Sequence, residues 1–357
     1  MSVFREGKIV DVISRDEDLI RSTVAIDDEI LPAVGFPAML GPLEPGDRVV
    51  INTVGIDLEL GTGGEAFVLW NLDGPGPAAA APGHIMKLRY TPWQMPVGAV
   101  EAPESPHHDS LTSVTSLDGM PVVVCGLHSQ VAAVAAGIRA AAPKARIGYL
   151  MTDGAALPLK WSNLVEEMRG ADLLDTTCTA GHAFGGELEA VNVFSGLCAL
   201  KVVGKVDVAI AAMGPGIVGT STRLGFTGME QGQVLDAATA LQGRSIACLR
   251  ISFADARSRH QGVSEHSLAA LGIAAREPTE VVVPKLPPSE RDAIIRQLDD
   301  AGICRRHRLV FAAAGPGLDL LSQRGLRPTS MGRSIDEIPE FFGAACAAGA
   351  WAGATLV

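Results

Sequence analysis

Residues 121–154 read PVVVCGLHSQVAAVAAGIRAAAPKARIGYLMTDG, and this stretch decides the fold of the larger part of the chain. A strand-length apolar run, Val122–Cys125, is followed by an Ala-rich segment of helical length, Ser129–Ala142, and by a second strand-length run, Arg146–Met151. Two buried strands joined by a helix need a crossover connection, which makes them parallel. We therefore predict an α/β domain with a mostly parallel sheet flanked by helices.

The same alternation continues toward the end of the chain. Further predicted strands are Leu173–Thr177, Val206–Met213, Ser245–Ile251, Glu280–Val283 and Arg308–Ala312. Further predicted helices are Ser162–Arg169, Gly186–Val202, Met229–Leu241, Glu265–Leu271, Ser289–Ala301 and Ile335–Ala350. In sheets of this kind, ligands bind beyond the carboxyl ends of the strands, so polar residues directly after strands are the candidates for a site.

The first part of the chain has a different pattern. Short runs rich in Val and Ile alternate with turn signals, and no long helical period occurs, which predicts a small β-barrel-like domain over residues 1–95. The predicted strands are Gly7–Ile13, Ser22–Ile26, Arg48–Thr53, Glu65–Asn71 and, as the last one, Lys87–Gln94. Residues 96–120 are predicted as a linker and residues 121–357 as the α/β domain.

Composition narrows the class of partner. The 357 residues carry a formal net charge of -11 and no large Lys/Arg cluster, which argues against a nucleic-acid partner. The sequence has no apolar run of the ~20 residues needed to cross a bilayer, and no signal peptide, so we expect a cytoplasmic protein without a membrane partner. Its six scattered cysteines are expected to be reduced thiols.

Three candidate positions follow the first predicted strands. His128 and Ser129 stand at the start of an Ala-rich helix, where free N–H groups favour anions. His128 is a candidate for proton transfer and Ser129 for anion binding; the alternative is a loop histidine without a role and a capping serine. Asp153 is either an acid, a base or part of a plain Asp-Gly turn. His182 is a candidate for proton transfer, and His182 with Glu187 is a weak candidate for a metal site, since their spacing matches no known zinc pattern.

A glycine-rich loop follows the predicted strand Val206–Met213. Its sequence GPGIVGTSTR, residues 214–223, contains a literal G-x-G-x-x-G. A dinucleotide-binding turn should enter its helix at once, and here Thr220 to Gly228 intervenes, so an anion-binding loop is favoured, with a structural turn as the alternative. The predicted anion-binding residues of this loop are Gly214, Gly216, Gly219, Thr220 and Arg223.

The densest group of polar residues lies between Arg250 and His266. Arg250, Arg257 and Arg259 offer planar guanidinium groups to carboxylate or phosphate. Asp255 and His260 are predicted to transfer protons, together with His266, and Asp255 is also a weak metal candidate. A solvated loop is the alternative interpretation of the whole segment.

Four strings resemble a known family: TDGAALP at residues 152–158, GHAFGG at 181–186, EAVN at 189–192 and ISFAD at 251–255. They resemble the uncharacterised bacterial family called domain of unknown function 3866, and the resemblance extends nearly from end to end. It implies a cytoplasmic bacterial protein with one architecture throughout. It implies no activity, cofactor or catalytic residue.

Three hypotheses for function remain open. The first is an enzyme that binds a small anionic metabolite, phosphorylated or nucleotide-like, at the carboxyl rim of the sheet. The second is a non-catalytic ligand-binding or sensor protein that uses the same loops. The third is a structural homo-oligomer, in which the small residues of the helix Ile335–Ala350 pack against another subunit. The sequence identifies no cofactor.

Overall fold

The computed structural model describes residues 4–59, 64–77 and 83–356, and the chain divides into two compact units, Met1–Val97 and Gly98–Val357. The predicted division into a domain of residues 1–95, a linker of residues 96–120 and a domain of residues 121–357 stays a prediction. The two compact units do not by themselves define functional domains.

The first unit contains a closed barrel with the strand order β1-β2-β3-β5-β4, in which only β3 and β5 run parallel. This is the order of an OB-type Greek-key barrel. The barrel strands are β1 (Phe4–Arg15), β2 (Ile20–Ile26), β3 (Glu29–Gly35), β4 (Arg48–Asn52) and β5 (Ala66–Asn71). Two single-turn helices are α1 (Pro37–Leu40) and α2 (Val54–Asp57). In β2 every second side chain points inward, so the barrel core is filled by alternation.

Two details of this unit differ from the prediction. Strand β3 was not predicted, because Pro32 interrupts its apolar pattern. The predicted last strand, Lys87–Gln94, is wrong: a hairpin of β6 (Ile85–Lys87) and β7 (Met95–Val97) stands there, with a turn in between. Leu88 and Tyr90 have φ of 50° and 60°, a left-handed backbone that cannot belong to a strand.

The second unit has an eight-stranded, wholly parallel sheet with the order β11-β10-β9-β12-β8-β13-β16-β17. This confirms the predicted α/β class. Its strands are β8 (Pro121–Val124), β9 (Ile147–Thr152), β10 (Thr176–Thr179), β11 (Leu188–Glu189), β12 (Val208–Met213), β13 (Arg244–Cys248), β16 (Glu280–Pro284) and β17 (Arg308–Ala312). A small hairpin follows β13 and consists of β14 (Ile251–Ser252) and β15 (Gly262–Val263).

Helices cover both faces of this sheet, so its central strands are buried throughout. One face packs against α4 (Val131–Ala141), α5 (Asn163–Gly170), α11 (Gly315–Gln323) and α12 (Pro339–Ala354). The other packs against α6 (Val193–Val202), α7 (Glu230–Ala240), α9 (Pro288–Asp300) and α10 (Ile303–Arg306). The remaining helices are α3 (His108–Leu111) and α8 (Glu265–Ala269), the latter continuing as a π-helical segment, Ala270–Ala274.

The predicted helix Gly186–Val202 is wrong in its first half. The carboxylate of Glu189 accepts hydrogen bonds from the Thr179 hydroxyl and from the Gly185 N–H, and this holds residues 188–189 as a strand beside β10. The helix begins only after Asn192, whose side chain caps it by accepting the N–H of Ser195.

The small residues of the last helix are used inside the chain. Helices α4 and α12 touch backbone to backbone at Gly137 and Gly349: a Cβ at Gly349 would overlap the carbonyl oxygen of Val134 and lie 2.9 Å from the Ile138 nitrogen. The expectation that this helix uses its small residues to pack against another subunit is therefore wrong. Whether the protein forms a homo-oligomer stays a prediction.

Within the ranges that the structure describes, no helix combines the length and apolarity needed to cross a membrane.

Candidate functional site

The carboxyl edge of the sheet has a topological switch point around β8. The chain leaves β8 toward α4 on one face and leaves β12 toward α7 on the other. Two buried glutamines tie the strand ends together there. The Gln231 amide donates to the carbonyls of Val124 and Cys248, and the Gln130 amide donates to that of Leu249. A crevice at a switch point is where open α/β sheets bind ligands.

Four arginines gather at this edge, and we call Arg250, Arg257, Arg259 and Arg333 the arginine cluster. Three of them share the carboxylate of Asp255, which is 3 % exposed. Arg257 binds it through two nitrogens at 3.0 and 2.9 Å, Arg333 at 3.3 Å and Arg250 at 3.4 Å. The fourth, Arg259, donates to the Nε2 atom of His260 at 3.1 Å and has no carboxylate within ion-pair distance among the described residues.

The arginine cluster has more positive than negative charge. The cluster contains four guanidinium groups, three of which share one carboxylate, and Arg250 is buried. Burial and then the neighbouring Arg257 lower the pKa of Arg250 to about 10. Arginines stay protonated at that value, so their mutual repulsion persists at neutral pH. Such a concentration of cationic donors favours an anionic ligand.

Asp255 serves this cluster as a counter-ion. The hydrogen bonds from Arg257 hold the pKa of Asp255 far below its ordinary value, and both of its oxygens accept from arginine. A carboxylate so engaged is a poor proton donor or base. The prediction of a catalytic or metal-binding Asp255 is therefore not supported, and Arg250, Asp255 and Arg257 belong to one ion-pair network.

Two histidines lie beside the arginine cluster in neutral form. The Nε2 atom of His260 accepts from Arg259, so its Nδ1–H donates to Ser264 at 2.7 Å. His266 stacks on Phe226 with ring centroids 3.9 Å apart, and its buried Nδ1 has no hydrogen-bond partner among the described residues. Burial and then Arg250 lower the pKa of His260 to about 3 and that of His266 to about 4.

Because these histidines are neutral in the folded protein, we predict that its folding stability decreases in acid. The ordinary histidine pKa is 6.5, so the unfolded chain takes up protons below that pH while folded His260 and His266 do not. Folding stability is then full above pH 6.5 and falls as the pH drops toward 4, by at most about 1.4 kcal/mol per pH unit for each proton. Urea unfolding at pH 7, 5.5 and 4.5 measures this. His260→Gln should make the free energy of unfolding less dependent on pH, whereas a substitution of the exposed His107 should not. An equal pH dependence in the wild type and both variants would contradict the prediction.

A second polar group lies over the end of β9 and contains Asp153, Glu230 and Thr152. The Thr152 hydroxyl donates to the Glu230 carboxylate at 2.5 Å, and the Asp153 carboxylate accepts the backbone N–H of His182 at 2.9 Å. Asp153 and His182, both predicted from sequence, are therefore neighbours. Burial raises the pKa of Glu230 to about 7, and the charge of Asp153 adds to the effect.

His128 belongs to a separate network with Tyr149 and Ser162. Tyr149 donates to the carbonyl oxygens of Ala212 and Met213, so it accepts from the Nδ1–H of His128 at 3.0 Å. The Nε2 atom then accepts the Ser162 hydroxyl at 2.6 Å. Burial lowers the pKa of His128 to about 4. His128 therefore holds loops together in its neutral form.

The glycine-rich loop uses several of its donors within its own hairpin, as the alternative of a structural turn would, and its anion binding stays a prediction. Gly219 and Phe226 form a bridge, and the Thr220 N–H and hydroxyl both bond to the Gly225 carbonyl, so the donors are used within a hairpin. Arg223 is exposed at the tip of that hairpin, and Gly214 and Gly216 form the turn before it. The helix α7 begins only at Glu230, which excludes a dinucleotide turn. Ser129 likewise is no helix cap: its hydroxyl donates to Ser330.

The metal candidates His182, Glu187 and Asp255 do not come together. Glu187 pairs with Arg169 at 2.9 Å, and Asp255 is held by arginines. Across residues 4–59, 64–77 and 83–356, no group of three or more His, Cys, Asp or Glu side chains is arranged to hold a metal ion.

Two residues of the site escaped the sequence analysis. Glu230 looks like an ordinary acid in the first turn of a helix, and only the fold brings it to Thr152. Arg333 lies far along the chain from Asp255, in a turn before the last helix. Its position after the last strand of the sheet was the only signal that pointed to this rim.

Comparisons with known proteins place the chain in a family without assigning a role. No curated protein and no solved structure matches it. A family model described as "Protein of unknown function (DUF3866)" matches residues 32–349, nearly the whole chain. The bacterial origin expected from the resemblance stays a prediction. With that match, the chain belongs to the DUF3866 family.

Proposed function

We propose that this protein is an enzyme that acts on a small anionic metabolite, phosphorylated or nucleotide-like, bound at the carboxyl rim of the parallel sheet. The observation that carries the proposal is the arginine cluster, in which three guanidinium groups share the carboxylate of Asp255 and the fourth, that of Arg259, has no carboxylate partner among the described residues. An anion would supply the missing negative charge, and arginine forks match the oxygens of phosphate and carboxylate.

A nearby acid–base group favours an enzyme over a passive binder. Phe226, which stacks on His266 beside the arginines, and Glu230 are separated only by the turn Thr227–Met229. One helical turn rises about 5 to 6 Å, so Glu230 begins one turn of chain away from the residue that stacks on His266. A carboxyl group whose pKa burial has raised to about 7 can give or take a proton near neutral pH.

Arg259→Gln is the variant that tests the anion site. Arg259 has no contact with Asp255 in the described structure, so its loss should leave the ion-pair network intact. A hydrogen bond to a charged group is worth about 1.5–3 kcal/mol, so we expect ~10- to 100-fold weaker binding of inorganic phosphate or pyrophosphate by calorimetry. Arg305→Gln, on the exposed helix α10 at the opposite edge of the sheet, is the matched control.

Equal affinity in wild type and Arg259→Gln, or no binding of either anion to the wild type, would refute the anion site. Turnover separates an enzyme from a sensor. A sensor binds an anionic metabolite and returns it unchanged, whereas an enzyme converts it, which mass spectrometry of the recovered ligand detects.

A further inference from the structure

The side chains of Asp153 and Glu230 both pack against glycines near the carboxyl end of β9, and the charge of Asp153 acts on Glu230. A Cβ added at Gly154 would lie 2.8 Å from the Glu230 carboxyl carbon, so this carboxylate rests directly on the backbone next to Asp153. Adding a Cβ at Gly181 would bring it 2.6 Å from the Asp153 carboxyl carbon. The two glycines thus leave the space that both acids occupy.

The hydrogen bonds of the pair are asymmetric. Asp153 accepts a backbone N–H, that of His182. Glu230 accepts a hydrogen bond from the Thr152 hydroxyl, which is a weaker donor. A protonated carboxyl group can accept the same hydrogen bond. The titratable groups around Glu230 are Asp153 and the buried Tyr149, with His182 on the far side of Asp153. No cation forms an ion pair with Glu230 among the described residues.

We propose that Asp153 and Glu230 share one proton at neutral pH, held on Glu230, and that Glu230 exchanges this proton with the substrate bound at the arginine cluster. The inference rests on the proposed function, because it needs a substrate that reaches from the arginines to this pair. In the transfer, the Glu230 O–H bond breaks, a bond from the same hydrogen to a substrate atom forms, and the resulting carboxylate regains a proton from water after product release.

Two arguments of chemistry support the pair. Neighbouring carboxylates rarely ionise together, since the second charge is opposed by the first. Burial also disfavours a charge on Glu230, which raises its pKa to about 7. An ordinary first-turn glutamate would instead be ionised, because the helix dipole stabilises a negative charge at that end.

The experiment follows the proton without any substrate. Infrared spectra of the whole protein between pH 5 and 8 should show a protonated carboxyl band that disappears with a midpoint near pH 7, matching the value given above for Glu230. Glu230→Gln should remove this band. Glu290→Gln, in the first turn of α9, is the matched control and should keep it. Asp153→Asn should lower the midpoint by about one pH unit, because the like charge is gone.

The outcomes separate this inference from the proposed function. If the band is absent in wild type, or survives in Glu230→Gln, the shared proton is refuted, whatever phosphate binding shows. If phosphate fails to bind the arginine cluster while the band behaves as described, the anion site is wrong and the protonated pair remains. A midpoint unchanged in Asp153→Asn would refute the coupling between the two acids.

Discussion

Gly349→Ala should destabilise the second unit by about 2–4 kcal/mol, although it adds a single methyl group. The new Cβ would overlap the carbonyl oxygen of Val134 and lie 2.9 Å from the Ile138 nitrogen, and both are backbone atoms of α4 that cannot rotate away. The two helices must separate, which opens space along a core of alanines that have no rotamers with which to fill it. Hydrogen–deuterium exchange of the α4 and α12 amides in increasing urea measures the loss.

Gly343 provides the matched control on the same helix. A Cβ there would lie 3.6 Å from the Ala314 side chain, an ordinary contact. Gly343→Ala should therefore be neutral or stabilise by up to about 1 kcal/mol, because alanine loses less entropy in a helix than glycine does. Equal protection in the two variants would show that close helix packing does not govern this region.

Asp255→Asn should cost about 3–5 kcal/mol, because it leaves buried Arg250 and its neighbours without their counter-ion. Urea unfolding at pH 7 measures the difference. Asp292→Asn is the control, since the exposed pair of Asp292 with Arg291 should contribute at most about 1 kcal/mol.

Sulfate provides an internal check on the Asp255 result. If the lost stability comes from repulsion among the arginines, an anion that occupies their site should restore part of it. The unfolding midpoint of Asp255→Asn should rise with sulfate more than that of the wild type. A loss below about 1 kcal/mol, or an equal response to sulfate, would mean that the arginine cluster does not need an anion.

The sequence predicts the architecture well for a physical reason. Strands buried on both faces, such as Val208–Met213, must be apolar throughout, and the Ala-rich helices between them fix a parallel arrangement. Prediction failed where local hydrogen bonds override composition, as at Glu189, which holds a strand where a helix was expected. Such contacts depend on which strands become neighbours, and one sequence does not reveal that.

The same limit applies to the site. The arginines between 250 and 259 and the pairing of Asp153 with His182 lie where the sheet rule puts them, at carboxyl ends of strands. Their roles depend on partners from distant segments. Arg333 adds a guanidinium from a distant segment to the Asp255 network, and the charge of Asp153 acts on the distant Glu230. Polar side chains acquire their chemistry from such neighbours, so residue type and position alone predict a site better than its mechanism.

The position of β8 has a consequence for how the protein is made. Val122 pairs on one side with Ala209 and on the other with Ser245, so the first strand of the second unit lies between strands synthesised much later. Until Ser245 has been synthesised, the apolar edge of β8 stays unpaired on that side. Long-range parallel pairing also forms slowly. The newly made chain is therefore most prone to aggregate in this interval, and chaperones that cover exposed strands should matter most then.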